Sequence, residues 1–395
     1  MRRLTLPEHK VRAFTPIARP IANALAATGA VKVSADLDGR TVLTASSQVG
    51  VLRCGDLELR ITPKIGIHRL LWLLGHARDP DGWHDDEIVD LTTADDLVTA
   101  VAVAFHAATR RALAHGILQG YRTVEEALPL LRGRLREGDQ LRRHLGLAVP
   151  LEVRYDDYTV DIPENRILLT AARRLLRIPA LPSATHAGLR KVLTTLADVT
   201  PLVAGDKPPD TTQTRLTRLY QPALLLARIV LAGRSIDQPP GSTSASGFLF
   251  DLNKAFEDWL TATLRRALEP HRGQLRDQYR SHLDTEHRIS IRPDLVWERQ
   301  ARPMAVVDAK YKRVHDATRP HADLYQMLAY CTALGLPEGH LVYASGDASG
   351  MHIVRDVGTR IHIWVLDLSQ PTTAILEQVG AISDAVAGTR AGPWS

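Results

Sequence analysis

Apolar and polar positions alternate through the first part of this chain. Val31-Lys32-Val33-Ser34-Ala35 and Thr41-Val42-Leu43-Thr44 repeat with a period of two around the turn at Asp38-Gly39. Leu57-Glu58-Leu59-Arg60-Ile61-Thr62 does the same and stops at Pro63. That is the pattern of half-buried strands, the last ended by a residue that cannot donate to a ladder. Residues 1–85 therefore read as strand-rich. The period then lengthens. Thr93-Ala94-Asp95-Asp96 resembles a capping box ahead of an apolar-periodic run to His115, with Gly116 as its stop. Pro163-Glu164-Asn165 opens a second helix, running through Arg177 with proline in its first turn. A third covers 216–231. Between these two lie Pro179, Pro182, Pro201, Pro208 and Pro209, which predict short helices there. Residues 86–236 form a mainly helical region.

The composition shifts at 237–247, Asp-Gln-Pro-Pro-Gly-Ser-Thr-Ser-Ala-Ser-Gly, where Pro, Gly and Ser dominate as in linkers and loops. It predicts a domain boundary, with a second domain over 248–395. That domain opens with a helix over 252–268. Strands follow around 288–291, 295–298 and 304–310, then a helix over 323–334, strands at 341–344 and 361–366, and a helix near 374–386. This is an α/β order with a hairpin inside it.

Composition narrows the class. Of 395 residues, 45% are hydrophobic and 24% charged, enough apolar surface for a sizeable core. The net charge of +5 is compatible with a polyanionic partner. Cys54 and Cys331 are too few for a four-cysteine zinc site or an iron–sulfur cluster. They read as reduced thiols, hence a cytoplasmic setting. The N-terminus lacks the apolar core of a signal peptide, and no uncharged apolar run is long enough to span a bilayer, so no membrane is expected.

The chemistry concentrates at 304–310, Met-Ala-Val-Val-Asp-Ala-Lys. An apolar strand ends in Asp308 and Lys310, whose i, i+2 spacing puts both side chains on one face. A turn at 299–303 would fold the preceding strand back and bring Asp294 to Asp308. Two converging carboxylates repel each other and invite a divalent cation, and Mg2+ takes one or two carboxylates while keeping waters. With Lys310 to orient water and offset developing charge, this set suits phosphodiester hydrolysis. Glu257, in Phe256-Glu257-Asp258-Trp259, is a candidate third metal ligand on the opening helix. Gln326 and Tyr330, at i, i+4 on one helical face, are in position to reach a phosphate or orient the lysine. The bare pattern also fits a salt-bridged strand end. Pro293, the apolar strand before Asp308, and the order of Glu helix, hairpin and Gln/Tyr helix favour the nuclease reading.

At these residues the chain resembles the PD-(D/E)xK nuclease superfamily: Pro293-Asp294 matches its first element, Asp308-Ala309-Lys310 its second, and Gln326/Tyr330 the Q-x-x-x-Y element of RecB-like members. It further resembles the McrC family, nuclease subunits of McrBC-type modification-dependent restriction systems. The segments that carry this are Ile61-Thr62-Pro63-Lys64-Ile65, Leu131-Arg132-Gly133-Arg134-Leu135, Asp161 through Asn165-Arg166-Ile167-Leu168, 250–257, 308–312 and 323–330. The resemblance implies a restriction-endonuclease-like mixed sheet flanked by helices in the C-terminal domain, behind an α+β N-terminal part. It implies a DNA endonuclease dependent on Mg2+, with Mn2+ as a substitute. Asp294, Asp308 and Glu257 would hold the metal, with Lys310, Gln326 and Tyr330 beside them. It also implies a partner, a McrB-like AAA+ GTPase hexamer that the N-terminal part binds and stimulates. The chain has no G-x-x-x-x-G-K-[S/T] loop of its own.

Other features stay open on sequence. Arg132, Arg134, Arg136, Arg142, Arg143 and His144 form either a DNA or partner contact or a solvated face mixed with Glu137 and Asp139. Lys64 is a partner contact or a surface lysine. His282 and His287 read as surface positions, Trp72 and Trp83 as core. Two alternative functions remain: an interaction protein that mainly activates the AAA+ ring, and a stand-alone RecB-like repair nuclease.

Overall fold

The computed structural model describes residues 1–77, 97–144, 149–178, 181–203, 205–212, 214–237, 245–314, 321–347 and 349–388. The capping-box segment 93–96, Trp83 and most of 237–247 lie outside the described residues. In chain order the elements begin with β1 (Arg2–Pro7), β2 (Val11–Phe14), α1 (Arg19–Ala27), β3 (Val31–Ala35), β4 (Thr41–Ala45), β5 (Gln48–Cys54), β6 (Leu57–Thr62) and α2 (Ile67–His76). They continue with α3 (Leu97–Ala112), β7 (Gly120–Leu128), β8 (Arg134–Leu135), α4 (Glu137–His144), β9 (Leu151–Thr159), α5 (Pro163–Leu175), α6 (Ser183–Thr195) and α7 (Gln221–Ala232). The last third has β10 (Arg234–Asp237), β11 (Ala245–Asp251), α8 (Leu252–Ala267), β12 (Gln274–Asp277), β13 (Ser281–His282), β14 (Ser290–Ile291), β15 (Leu295–Arg299) and β16 (Arg302–Val314). It closes with α9 (His321–Leu334), β17 (Glu338–Gly346), β18 (Gly350–Ile353), β19 (Arg360–Val365) and α10 (Thr372–Val386). The protein is mixed α/β, with several sheets flanked by helices.

The chain divides into two compact units, one built from Met1–Val98 with Gly233–Ser395, the other from Thr99–Ala232. This corrects the expected boundary at 237–247. The strands on either side of that segment, β10 and β11, pair with each other antiparallel, and β11 pairs with β5 of the N-terminal region. Pro, Gly and Ser serve a hairpin loop as well as a linker, so their composition alone did not separate the two.

In the first unit, a five-stranded sheet runs β1-β6-β5-β11-β10. Gly50 has φ +144°, and a Cβ there would lie 2.1 Å from the Phe248 carbonyl oxygen, so only glycine lets β5 meet β11 at this point. β11 passes directly into α8. Asp251 caps that helix, its carboxylate accepting from the Asn253 and Lys254 backbone N–H groups. The buried face of α8, with Leu252, Phe256, Trp259, Leu260 and Leu264 at helical spacing, packs on α2 and β16. Trp72 of α2 is buried with its ring 5.4 Å from that of Trp259, a core position as expected.

The second sheet of this unit runs β12-β15-β16-β17-β19-β18, with β16, β17 and β19 parallel and the others antiparallel. β15 and β16 form the expected hairpin. Gln300 and Ala301 both take positive φ, 52° and 59°, as a two-residue turn matched to strand twist requires. Val296, Val306, Leu341, Tyr343, Ile361 and Ile363 point to one face and form a core with Met327, Tyr330 and Cys331 of α9. Cys54 and Cys331 are both buried free thiols.

In the second unit, α5 packs on α6 and α7. Asp161 precedes α5 and accepts from Arg166 (2.7 Å), Arg122 (2.6 Å) and the Thr200 N–H (2.9 Å). Buried Asn165 donates to the Leu118 and Val160 carbonyls at 2.8 and 2.7 Å. The D-x-x-x-N-R element thus ties a helix start to its neighbours. α6 spans 13 residues, longer than expected, because Pro182 sits at its N-cap rather than inside it. α3 extends as a 3-10 turn to His115, and the stretch Leu97–His115 is apolar and long enough to cross a membrane by length and composition. Half of it is buried inside the fold, as in a core helix. A three-stranded sheet, β7-β9-β8, was not expected.

Candidate active site

β15 and β16 pair from Leu295↔Val307 upward, so Asp294, one position beyond, comes opposite Asp308. Asp294 accepts a hydrogen bond from the Ala309 N–H at 3.0 Å, which fixes its carboxylate across the hairpin. Asp308 is 2% exposed. Burial, then the neighbouring Asp294 charge, raise its pKa to about 7 against the partial relief given by Lys310. The Lys310 ammonium is ion-paired with Asp308 Oδ2 and donates to Gln326 Oε1 at 3.0 Å. Burial alone would lower the Lys310 pKa, but Asp308, Asp294 and Asp323 raise it, which keeps the amine charged.

The support then runs along α9. Gln326 Nε2 donates to the Tyr330 hydroxyl at 2.9 Å, and that hydroxyl lies 3.5 Å from the Arg292 carbonyl oxygen beside Pro293. Burial and the two aspartates push the Tyr330 hydroxyl up to about 12. Asp294, Asp308, Lys310, Gln326 and Tyr330 therefore form one connected array on the α9 face of the sheet.

Glu257 is less directly joined. It is half-buried on α8, and burial followed by the Asp294 charge raises its pKa. Its Oε1 accepts from Gln278 Nε2. Among the described residues no three of His, Cys, Asp and Glu are grouped to hold a metal ion. The expected three-carboxylate set is therefore not gathered into one group; Glu257 is joined to the hairpin through Gln278.

Several site residues are given no role from the sequence. Gln278 also donates its backbone N–H to the Asp294 carbonyl at 2.7 Å. Asp323, at the start of α9, is buried and accepts from the Tyr343 hydroxyl at 2.7 Å while pairing with Lys312 at 2.6 Å. Lys312, two residues past Lys310, could have been singled out by the spacing that picked out Asp308 and Lys310. On the other face of β16, the Tyr311 hydroxyl donates to Glu8 Oε1 at 3.0 Å, and that oxygen also accepts from the Lys64 N–H at 2.8 Å. The Lys64 segment thus has a structural role through its backbone.

The basic cluster of the second unit is largely paired within the chain. Arg132 meets Asp157 at 2.6 Å and lies 3.8 Å over the Tyr155 ring. Arg136 meets Glu125 at 3.0 Å, Arg143 meets Glu152 at 3.2 Å, and Arg142 meets Asp139. His282 and His287 sit at the β13–β14 hairpin with their Nδ1 atoms 3.0 Å apart.

Fold and site together define a mixed α/β protein with an acid–lysine array at a strand hairpin braced by a Gln/Tyr helix. The chain belongs to the McrBC 5-methylcytosine restriction system component family, whose model matches residues 43–344. No curated protein matches it. Among solved structures, it is similar to a chain in the refined half-complex from a tetradecameric assembly of Thermococcus gammatolerans McrB AAA+ hexamers with bound McrC. The TM-score is 0.57 at 18% identity, over 97% of this chain and 100% of that one. This likeness is one of fold. A chain in the cryo-EM structure of the Thermococcus gammatolerans McrBC complex matches at TM-score 0.37 and 20% identity, over 67% of this chain and 88% of that one.

Proposed function

We propose that this chain is the DNA-cleaving subunit of a McrBC-like restriction complex, a phage-defence system. In this reading its C-terminal sheet is a PD-(D/E)xK nuclease fold, and it works with a McrB-like AAA+ GTPase hexamer in the cytoplasm. The observation that carries the reading is the connected array Asp294–Asp308–Lys310–Gln326 in a chain of the McrBC family.

The donor set fits Mg2+. Asp308 Oδ2 is buried and paired with the Lys310 cation, and Asp294 stands near enough to raise the Asp308 pKa. Two hard carboxylates with waters suffice for Mg2+. Asp294 and Asp308 would hold the ion, with Glu257 as a third acid, and Mn2+ would substitute. When bound, the ion would polarise a phosphate oxygen and lower the pKa of a water. Lys310, kept protonated by the acids around it, offsets charge developing on the phosphate and orients the attacking water through its ammonium protons. Gln326 holds the Lys310 ammonium in place, and Tyr330 holds Gln326. Burial of Asp308 strengthens its pairing with Lys310, while the exposed Gln326 leaves the Lys310 side of the array open to a phosphate.

The metal requirement is tested by chelation. DNA cleavage in the presence of the GTPase partner and GTP should stop with EDTA and return with Mg2+ or Mn2+; cleavage indifferent to chelation contradicts the reading. An interaction role that only activates the ring is the second reading, favoured by the family's complex-forming members. Cleavage lost in Lys310→Met with GTPase stimulation retained separates the two.

A further inference from the structure

The turn between β12 and β13 contains an unusual residue. Gln278 has φ +51°, a left-handed conformation that costs a side chain with a Cβ about 1 kcal/mol or more. Nothing in the turn supplies a glycine to avoid it. Both ends of Gln278 are nonetheless tied to the site. Its backbone N–H donates to the Asp294 carbonyl at 2.7 Å, and the next N–H, of Tyr279, donates to the Pro293 carbonyl at 3.0 Å. Two consecutive donors aimed at the Pro293-Asp294 step require the left-handed bend, since in a regular antiparallel ladder alternate residues point their N–H groups away. Its side-chain amide donates to Glu257 Oε1. Tyr279 packs against the core under α9 and anchors the bend.

We propose that Gln278 is a positioning residue of the metal site: it clamps the Glu257 carboxylate to the Asp294 side of the array and thereby sets the affinity for the divalent cation. Glu257 and Asp294 come from different elements, α8 and the start of β15, and like charges separate when free to do so. Gln278 donates its side-chain amide to the Glu257 carboxylate and its N–H to the Asp294 main-chain carbonyl, neutral donors that tie the two elements together without adding a counter-charge that would compete with a cation. Outer residues that orient ligands change metal affinity by about ten- to a hundredfold in other sites. The inference rests on the metal-dependent reading above.

The test is Mn2+ uptake by the full-length chain, read by electron paramagnetic resonance, alongside thermal unfolding. Gln278→Gly keeps the backbone donor and relieves the left-handed strain. Gln278→Asn tolerates that conformation but is one methylene too short to reach Glu257. Both should melt at or near the wild-type temperature yet bind Mn2+ about tenfold more weakly. Asp308→Asn should lose the site altogether. Wild-type affinity in Gln278→Gly, with Asp308→Asn deficient, overturns the inference and leaves the metal reading intact. A fall in melting temperature that tracks the loss of affinity in both variants makes Gln278 merely structural and also overturns it. Wild-type uptake in Asp308→Asn overturns the metal reading and this inference with it.

Discussion

At the residue scale, the tension in the site lies in Asp308, a nearly inaccessible acid with a second acid beside it. Such a group is retained at a cost to folding. Asp308→Asn removes the repulsion and should leave stability unchanged or raise it by about 1 kcal/mol, measured by urea unfolding. A loss of several kcal/mol would show that the ionised group supports the fold. Asp161 behaves oppositely. Burial alone would raise its pKa, but Arg166 and Thr200 bring it down to about 2. A depressed carboxylate adds stability that is present above its unfolded value near 4 and lost as pH falls towards 2. Asp161→Asn should therefore cost about 1 to 2 kcal/mol at neutral pH, discounted for solvent screening, and flatten the acid limb between about pH 4 and 2. An unchanged acid limb would contradict this. Asp294, Asp308 and Lys310 were legible from spacing because a strand forces i and i+2 to one face. Gln278 and Glu8 were not, since each acts through a partner distant in sequence, and Asp323 stood in a matched segment without a role of its own.

At the element scale, alternation placed β6 and helical periodicity placed α8 almost residue for residue, because each has one apolar face and a clear stop. β7 and β9 were missed for the opposite reason. They pair over nine residues, but ion pairs and tyrosines line them and no apolar face marks the period. Gly133, in the turn before β8, has φ +71°, and a Cβ there would lie 2.4 Å from the Arg154 carbonyl oxygen. Gly133→Ala should destabilise the Thr99–Ala232 unit by about 1 kcal/mol or more, read as a lower midpoint in thermal unfolding. β16 carries a second test. Tyr311→Phe leaves the buried Glu8 carboxylate without its hydroxyl donor, a loss of about 1 to 3 kcal/mol by denaturant unfolding. A neutral result would mean that the Lys64 N–H alone satisfies Glu8.

At the scale of the whole molecule, one compact unit is discontinuous along the chain. It uses both ends of the sequence, and β5 of the N-terminal region depends on β11 for a pairing partner. A fragment ending at 247 would lose most of β11 and all of α8, uncovering Trp72 and leaving β5 without most of its partner strand. It should lose the transition of the first unit and keep at most the melt of the Thr99–Ala232 unit by near-UV circular dichroism; persistence of the Trp72 near-UV signal with a wild-type melt would contradict the division. The same architecture makes point variants, not truncation, the way to separate cutting from GTPase stimulation. The most direct measurement is DNA cleavage by the full-length chain with its McrB-like partner, GTP and Mg2+, comparing wild type with Asp308→Asn while GTP hydrolysis is followed in the same reaction. The account predicts cleavage slowed at least about a hundredfold, the scale set by losing one preorganised charged group, with GTPase stimulation within about twofold of wild type. Wild-type cleavage by a pure, folded Asp308→Asn chain would contradict it.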